Sequence, residues 1–270
     1  MAPERTPGGH DAAGPGAGRL SRQLDIRHRV TDAGFVRVEA LAEEFGVSPM
    51  TIHRDLDALQ SQGWLRKVRG GATTQTSAVF HGDLEQRTAA MPEVKNRLSA
   101  AALKLVAPGQ SVMLDESTTA LYVAKRLPQR APLTVITNFL TALKALAGVP
   151  GIDVVALGGA YYPAYDAFLG LHTADAVGSF RADVLFMSTT AITHGTCYHQ
   201  SQETVHVKRA LMEAAARRVL LVDHTKFTRQ GLYALAPLTR FDVVVVDDGL
   251  PRAELQRIRD QGVEVQVVPC

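Results

Sequence analysis

The sequence predicts an α/β protein in two parts: an N-terminal winged helix-turn-helix, then an open, mostly parallel α/β domain. Three observations carry this expectation. Residues 39–71 read as two short helices joined by a glycine turn and followed by a basic hairpin. From about residue 94, helical stretches alternate with short β-branched apolar runs, several of them apolar throughout, as in parallel strands covered on both faces. A chain of 270 residues is also long enough for a small module plus a larger domain with its own core.

The first 18 residues, rich in Gly, Pro and Ala, have neither an apolar stretch nor a cleavage signature, so 1–18 is expected to be a disordered tail. A DNA-binding module is expected over 19–72. Its first helix spans about 20–33, with Leu20, Leu24, Ile26 and Val30 as the apolar side and Gly34 closing it. Ala40, Leu41 and Phe45 mark the next helix, which Gly46 ends by allowing a positive φ. Ser48 suits the N-cap of the following helix, Pro49 its first turn, and Ile52, Leu56 and Leu59 its buried stripe.

Ser48, Met50, Thr51, His53 and Arg54 sit at the N-terminal end of that helix, where a recognition helix reaches base edges. Arg54 has the fork geometry for guanine, His53 a donor for guanine or phosphate, and Thr51 a methyl for thymine. Asp55 repels phosphate and is expected to pair with cations or backbone donors. Gly63 stops the helix, and Trp64–Gly71 reads as a tight wing. Arg66, Lys67 and Arg69 in this wing suit DNA phosphates.

The formal net charge is only +2, so DNA affinity must come from a local surface and not from general basicity. Residues 48–71 carry four cations against two anions. That small footprint predicts weak binding by a monomer and hence a homodimer or higher oligomer reading two half-sites. Two cysteines, Cys197 and Cys270, point to a reducing compartment, read as the cytoplasm, and not to a disulfide scaffold. No apolar run approaches the roughly 20 residues that span a bilayer, and no cofactor motif is evident.

Residues 73–93, with little periodicity and a proline at 92, are expected to be a linker, leaving 94–270 as the second domain. Strands are predicted at Ser111–Asp115, Thr134–Asn138, Asp153–Gly158, Val184–Met187, Val219–Asp223, Val243–Asp247 and Val263–Val267. Helices are predicted around 95–106, 119–127, 139–147, 171–180, 203–216 and 251–261. Ligands of such sheets bind beyond the carboxyl ends of the strands. The residues there are Asp115 with Ser117, Thr118 and Thr119, then Asn138, Gly158 with Gly159, and Lys226 near Asp223. Lys226 can neutralise a phosphate, Asp115 and Asn138 can bond hydroxyls, and the glycines admit a close approach. The competing reading of Ser-Thr-Thr before a helix is an N-cap.

His194, His199 and His206 fall in one stretch with Cys197 and Glu203, but the H-x2-C-x-H spacing matches no standard zinc pattern. No metal is expected there. Instead Tyr198, His199 and Gln200 are candidates to line or lid a pocket, as is the aromatic run Tyr161-Tyr162-Pro163-Ala164-Tyr165-Asp166. A packed surface loop is the alternative for that run.

The N-terminal stretch resembles the DNA-binding domain of the DeoR family of bacterial transcriptional regulators. The resemblance is carried by Arg22, Ile26, Val30, Gly34, Val36, Leu41-Ala42, Phe45, Val47-Ser48, Thr51-Ile52, Arg54-Asp55-Leu56, Leu59, Gly63 and Arg69-Gly70-Gly71-Ala72. His53 stands where the family usually has an arginine. Residues 94–248 resemble the DeoR sensor domain, related in fold to ribose-5-phosphate isomerase and glucosamine-6-phosphate deaminase. The landmarks are Asp115 with Ser117-Thr118-Thr119, Thr137-Asn138, Leu157-Gly158-Gly159, Gly170, Glu203 with Lys208-Arg209, and Val222–Phe227. Ser117 replaces a usual glycine. The resemblance implies that the hydroxyl loop and Lys226 hold a phosphorylated sugar or related metabolite. It also implies a regulator, a repressor of carbohydrate genes, acting on double-stranded operator DNA. The alternative is a sugar-phosphate isomerase or deaminase with an accessory DNA module. Against it, the isomerases' acid-and-lysine motifs find no match in the sequence.

Overall fold

A computed structural model of the chain describes residues 15–62, 64–73 and 84–270; the expectations for 1–14, Gly63 and 74–83 lie outside it. The described residues divide into two compact units, 15–61 with 65–73, and 62 and 64 with 84–270.

In the first unit, α1 (Pro15–Ala33) is followed by β1 (Phe35–Arg37), α2 (Val38–Glu44), α3 (Pro49–Ser61), β2 (Arg66–Val68) and β3 (Gly71–Thr73). The strands form an antiparallel sheet in the order β1-β3-β2. A two-residue turn, Arg69-Gly70, closes the β2–β3 hairpin, with Gly70 at φ +78°. Gly71 has a separate reason to be glycine: a Cβ there would lie 2.0 Å from the Val36 carbonyl oxygen. Ile52, Leu56 and Leu59 of α3 are buried, as their spacing predicts, against Ile26, Val30, Leu41 and Leu65.

The apolar side of α1 differs from its expectation. Ile26 and Val30 are fully buried, but Leu20 and Leu24 are 66% and 52% exposed, and Gln23 takes the inner position. The inward stripe is therefore 23-26-30, a helical spacing with a polar first member. Gln23 is inside because its amide donates to the buried Asp55 (2.8 Å).

The second unit opens with two helices, α4 (Leu84–Ala89), within the stretch expected as linker, and α5 (Pro92–Leu103). Seven parallel strands follow: β4 (Ser111–Leu114), β5 (Leu133–Thr137), β6 (Ile152–Ala156), β9 (Ala182–Met187), β12 (Ala215–Val222), β14 (Val243–Asp247) and β15 (Glu264–Val268). Between them run α6 (Thr118–Ala124), α7 (Leu140–Leu146), α8 (Leu171–Val177), α9 (Gln202–Ala214) and α10 (Arg252–Asp260). Each predicted strand has its counterpart here. Interior β14 is buried at every residue, whereas edge strands β6 and β15 are partly exposed.

The sequence reading missed two small antiparallel additions. One is the hairpin β7 (Ala160–Tyr162) with β8 (Ala167–Leu169). The other is the sheet β10 (Ala191–Thr193), β11 (Thr196–His199) and β13 (Tyr233–Pro237). β7, β8 and β10 have three residues each, too few for a period of two to register, and β11 (TCYH) and β13 (YALAP) carry no β-branched apolar run.

The large sheet runs β15-β14-β12-β9-β4-β5-β6. From β4 the chain steps outward through β5 and β6, then returns to β4's other side with β9 and continues through β12. The direction of winding thus reverses between β4 and β9, and a crevice opens beyond their carboxyl ends.

Candidate functional site

The reading end of α3 is free of the core. Met50 is 60% exposed, and Ser48, His53 and Arg54 are exposed beside a half-buried Thr51. Ser48 does cap the helix: its Oγ accepts from the Thr51 amide (3.2 Å) and lies 3.0 Å from Thr51 Oγ1. Asp55 is 1% exposed and points the other way, accepting from Arg22 Nε (2.6 Å) and Gln23, with Arg19 at 3.6 Å. It fastens α1 to α3, the structural role its charge implied. On the wing, Arg69 is exposed at the turn and Arg66 is half-buried. The Lys67 ammonium pairs at the surface with Asp57 (2.5 Å), an acceptor with which a phosphate would compete.

In the second unit, a cavity of about 390 Å³ sits at the reversal of winding. Glu116, Ser117, Thr118 and Thr119 line it from the end of β4, and Ser188, Thr189 and Thr190 from the end of β9. Asp223 and Lys226 follow β12. Arg229, His199, Lys208 of α9, Lys95 of α5, and Gln86 and Arg87 of α4 complete the wall, with Ala90 and Met91.

Four predicted effector residues therefore share this cavity: Ser117, Thr118, Thr119 and Lys226. Asp115 lies behind the wall at 0% exposure. Its Oδ1 accepts from the Ser117 amide (3.0 Å) and hydroxyl, and its Oδ2 from the Ser188 amide (2.8 Å) and the Lys208 ammonium. It ties β4, β9 and α9 together and has little left to offer a ligand. Ser117 is an N-cap, accepting from the Ala120 amide (3.1 Å) while donating to Asp115. Asn138, Gly158 and Gly159 lie beyond β5 and β6, farther along the sheet, and do not line the cavity. Asn138 Nδ2 donates to the Phe168 carbonyl (2.8 Å), and Thr173 Oγ1 donates to that of Gly158 (2.8 Å). A Cβ on Gly159 would meet Thr173 Oγ1 at 2.0 Å. Asn138 ties the end of β5 to β8, and the two glycines form the β6–β7 junction.

The electrostatics of the cavity are set by its cations. Burial and the neighbouring Lys226 bring the Lys95 ammonium down to about 8. Burial likewise brings Lys226 down to about 8, with Arg229 and Arg87 lowering it further against the opposing pull of Asp223. Mutual repulsion among ammonium and guanidinium groups facing a common space is relieved by an anion.

Arg87, Lys95, Glu116 and Arg229 escaped the sequence reading. Lys95 left one signal, a cation on the 95-98-99-102 stripe that α5 buries. Arg87 left none, because α4 has no buried residue and hence no apolar period.

The histidines do not converge. His194 and His206 are exposed while Cys197 and His199 are buried, and burial pushes the Cys197 thiol up. Among the described residues no group of three or more His, Cys, Asp or Glu is placed to hold a metal. Of Tyr198, His199 and Gln200, only His199 lines the cavity, and Gln200 binds Thr190 Oγ1 (2.6 Å) and the Tyr165 hydroxyl (3.2 Å). The aromatic run forms the β7–β8 hairpin, in which Tyr161 donates to Asp166 (2.6 Å).

The sequence matches a DeoR-like helix-turn-helix domain over residues 22–78 and the DeoR C terminal sensor domain over 90–248. The chain belongs to the DeoR family. Its relatives in that family are transcriptional regulators. The transcriptional repressor AccR of Agrobacterium fabrum is 32% identical, with 84% of this chain and 89% of that one aligned. The glycerol-3-phosphate regulon repressor of Haemophilus influenzae is 30% identical, covering 92% and 96%. An L-fucose operon activator of the same organism is 29% identical, covering 82% and 89%. The solved ribose 5-phosphate isomerase of Methanocaldococcus jannaschii aligns over 50% of this chain and 54% of its own at 17% identity and a TM-score of 0.37, too distant to bear on function. No helix among the described residues is long and apolar enough to cross a membrane.

Proposed function

We propose that this DeoR-family regulator is a cytoplasmic repressor whose affinity for operator DNA is set by a phosphorylated sugar or related metabolite in the crevice between β4 and β9. The observation that carries the reading is the convergence of Arg87, Lys95, Lys226 and Arg229 on one cavity against only Asp223 and Glu116 among the lining carboxylates. Two ammoniums, one on buried Lys95 and one on half-buried Lys226, both brought down to about 8 by burial and like charge, mark a space suited to an anion. At the other unit, exposed His53 and Arg54 on α3 read base edges and the wing contacts phosphates. Two copies of the chain supply the paired half-sites that specific binding requires. The ligand acts by binding and is not turned over; regulation then needs only a differential affinity of about 1–3 kcal/mol between DNA-competent and incompetent states.

The test is fluorescence anisotropy of the DNA upstream of the protein's own gene, at fixed salt, with and without a panel of sugar phosphates. One compound shifting the binding curve is the expected result. Lys226→Ala is expected to keep DNA binding and lose that shift. If the folded variant cannot bind DNA, the division into reader and sensor is wrong. Conversion of a sugar phosphate at enzymatic rates would replace the regulator reading with the isomerase one.

A further inference from the structure

The cavity has two chemically distinct ends, and at the second one cation, Lys208, faces two carboxylates, Asp115 and Glu116. Lys208, although it lines the cavity, is spent. Its ammonium has three protons and three acceptors, Asp115 Oδ2, Glu116 Oε1 (3.0 Å) and the Ser188 carbonyl (3.2 Å). Three of the hydroxyls beside it donate within the wall, Ser117 to Asp115, Thr189 to the Tyr198 carbonyl (2.8 Å) and Thr190 to Gln200 (2.6 Å), which leaves those of Ser188 and Thr119 open to an occupant. The charged group left over at this end is an acceptor. Glu116 Oε2 is buried and has no hydrogen-bond partner. A buried carboxylate oxygen without a donor is costly, and an occupant that supplies one recovers the cost.

We propose that Glu116 makes the cavity selective for phosphomonoesters that carry a hydroxyl group, the phosphate lying among Lys95, Lys226 and Arg229 and the hydroxyl donating to Glu116. The charge balance favours a neutral donor over an ammonium. With Asp115 counted behind the wall, cations exceed carboxylates by two among these groups, which matches a phosphomonoester dianion. The assignment rests on the anion-binding reading above, and the two fail separately.

The experiment is calorimetric titration of the full chain with methyl phosphate, which has no hydroxyl, and with glycerol 3-phosphate and glucose 6-phosphate. The wild-type protein should prefer a hydroxyl-bearing ester by about 10-fold or more, the worth of one charge-assisted hydrogen bond. In Glu116→Gln the amide oxygen keeps the Lys208 contact and an uncharged NH2 replaces Oε2, so the charge-assisted bond is lost and the preference should fall several-fold. Glu116→Ala serves the same end, should the glutamine variant not fold. A wild-type protein that binds all three esters alike, or a variant that keeps the preference, overturns the role of Glu116 alone. Failure of every ester to bind overturns the anion site itself.

Discussion

Raising the pH from 7 to 9 should weaken phosphate-ester binding by about 10- to 100-fold. The Lys95 and Lys226 ammoniums are each held near 8, so both are mostly charged at pH 7 and mostly neutral at pH 9. If the anion binds only when one of them is protonated, two pH units cost about 10-fold, and if both are needed, about 100-fold. The two groups repel each other, so loss of the first proton makes the second harder to remove, and the fall lies between these limits. A phosphomonoester is already a dianion across this range, with its second pKa near ~6, and the arginines stay charged, so neither masks the effect. The apo protein should move the other way. Both lysines are held below their unfolded value of 10.5, so from about pH 8 to 10.5 the unfolded chain binds more protons and these groups add stability as pH rises. Calorimetry with methyl phosphate at pH 7, 8 and 9 and constant ionic strength measures the first slope. Repeating it at pH 8 in two buffers of different ionisation enthalpy counts the protons taken up. Affinity that stays flat or rises to pH 9 refutes the placement of the anion beside these two lysines.

On the DNA side, Arg54→Ala should cost about 1–3 kcal/mol on the preferred operator and relax selectivity at one base pair, read by anisotropy on operators mutated singly. Asp57→Asn should tighten binding to all sequences and steepen its salt dependence by about one ion, because it frees the Lys67 ammonium and removes a negative charge; an unchanged salt slope would take Lys67 off the phosphate surface. Asp55→Ala should destabilise the first unit by about 3 kcal/mol, since it leaves Arg22 and Gln23 without their shared acceptor, and chemical denaturation followed by circular dichroism measures the loss.

The seven parallel strands were legible because β-branched runs buried on both faces, such as Val243–Asp247, leave a pattern that needs no partner to be read. The recognition helix was legible for a similar reason, with cap, turn glycine and stripe all local. The cavity was legible only in part. Strand ends are visible in a sequence, but which of them adjoin depends on strand order. Asn138 and Gly159 looked equivalent to Thr119 until β5 and β6 were placed outward of the reversal between β4 and β9. Glu116 was hidden beside Asp115, and its importance emerges only from the count of acceptors around Lys208, a residue 92 positions further along the chain.

Helix α4 buries none of its residues fully and packs only Leu84 against the core, so polar fastenings from outside do much of the holding. The Arg87 carbonyl accepts from Lys95 and from Thr118 Oγ1 (3.3 Å), the Ala90 carbonyl accepts from Lys95 (2.5 Å), and the Arg87 guanidinium lies 5.0 Å from the centre of the Tyr165 ring. The clasp and the anion cavity thus draw on the same donor. Two of the three Lys95 protons serve these carbonyls and one is left for an occupant, so only an occupant that turns the ammonium farther toward itself weakens the hold on α4, while one that engages Arg87 adds a fastening of its own. An anion bound at Lys95 would therefore couple occupancy to the anchorage of this helix, and amide exchange across 84–91 with and without the phosphate ester is where that trade would be measured.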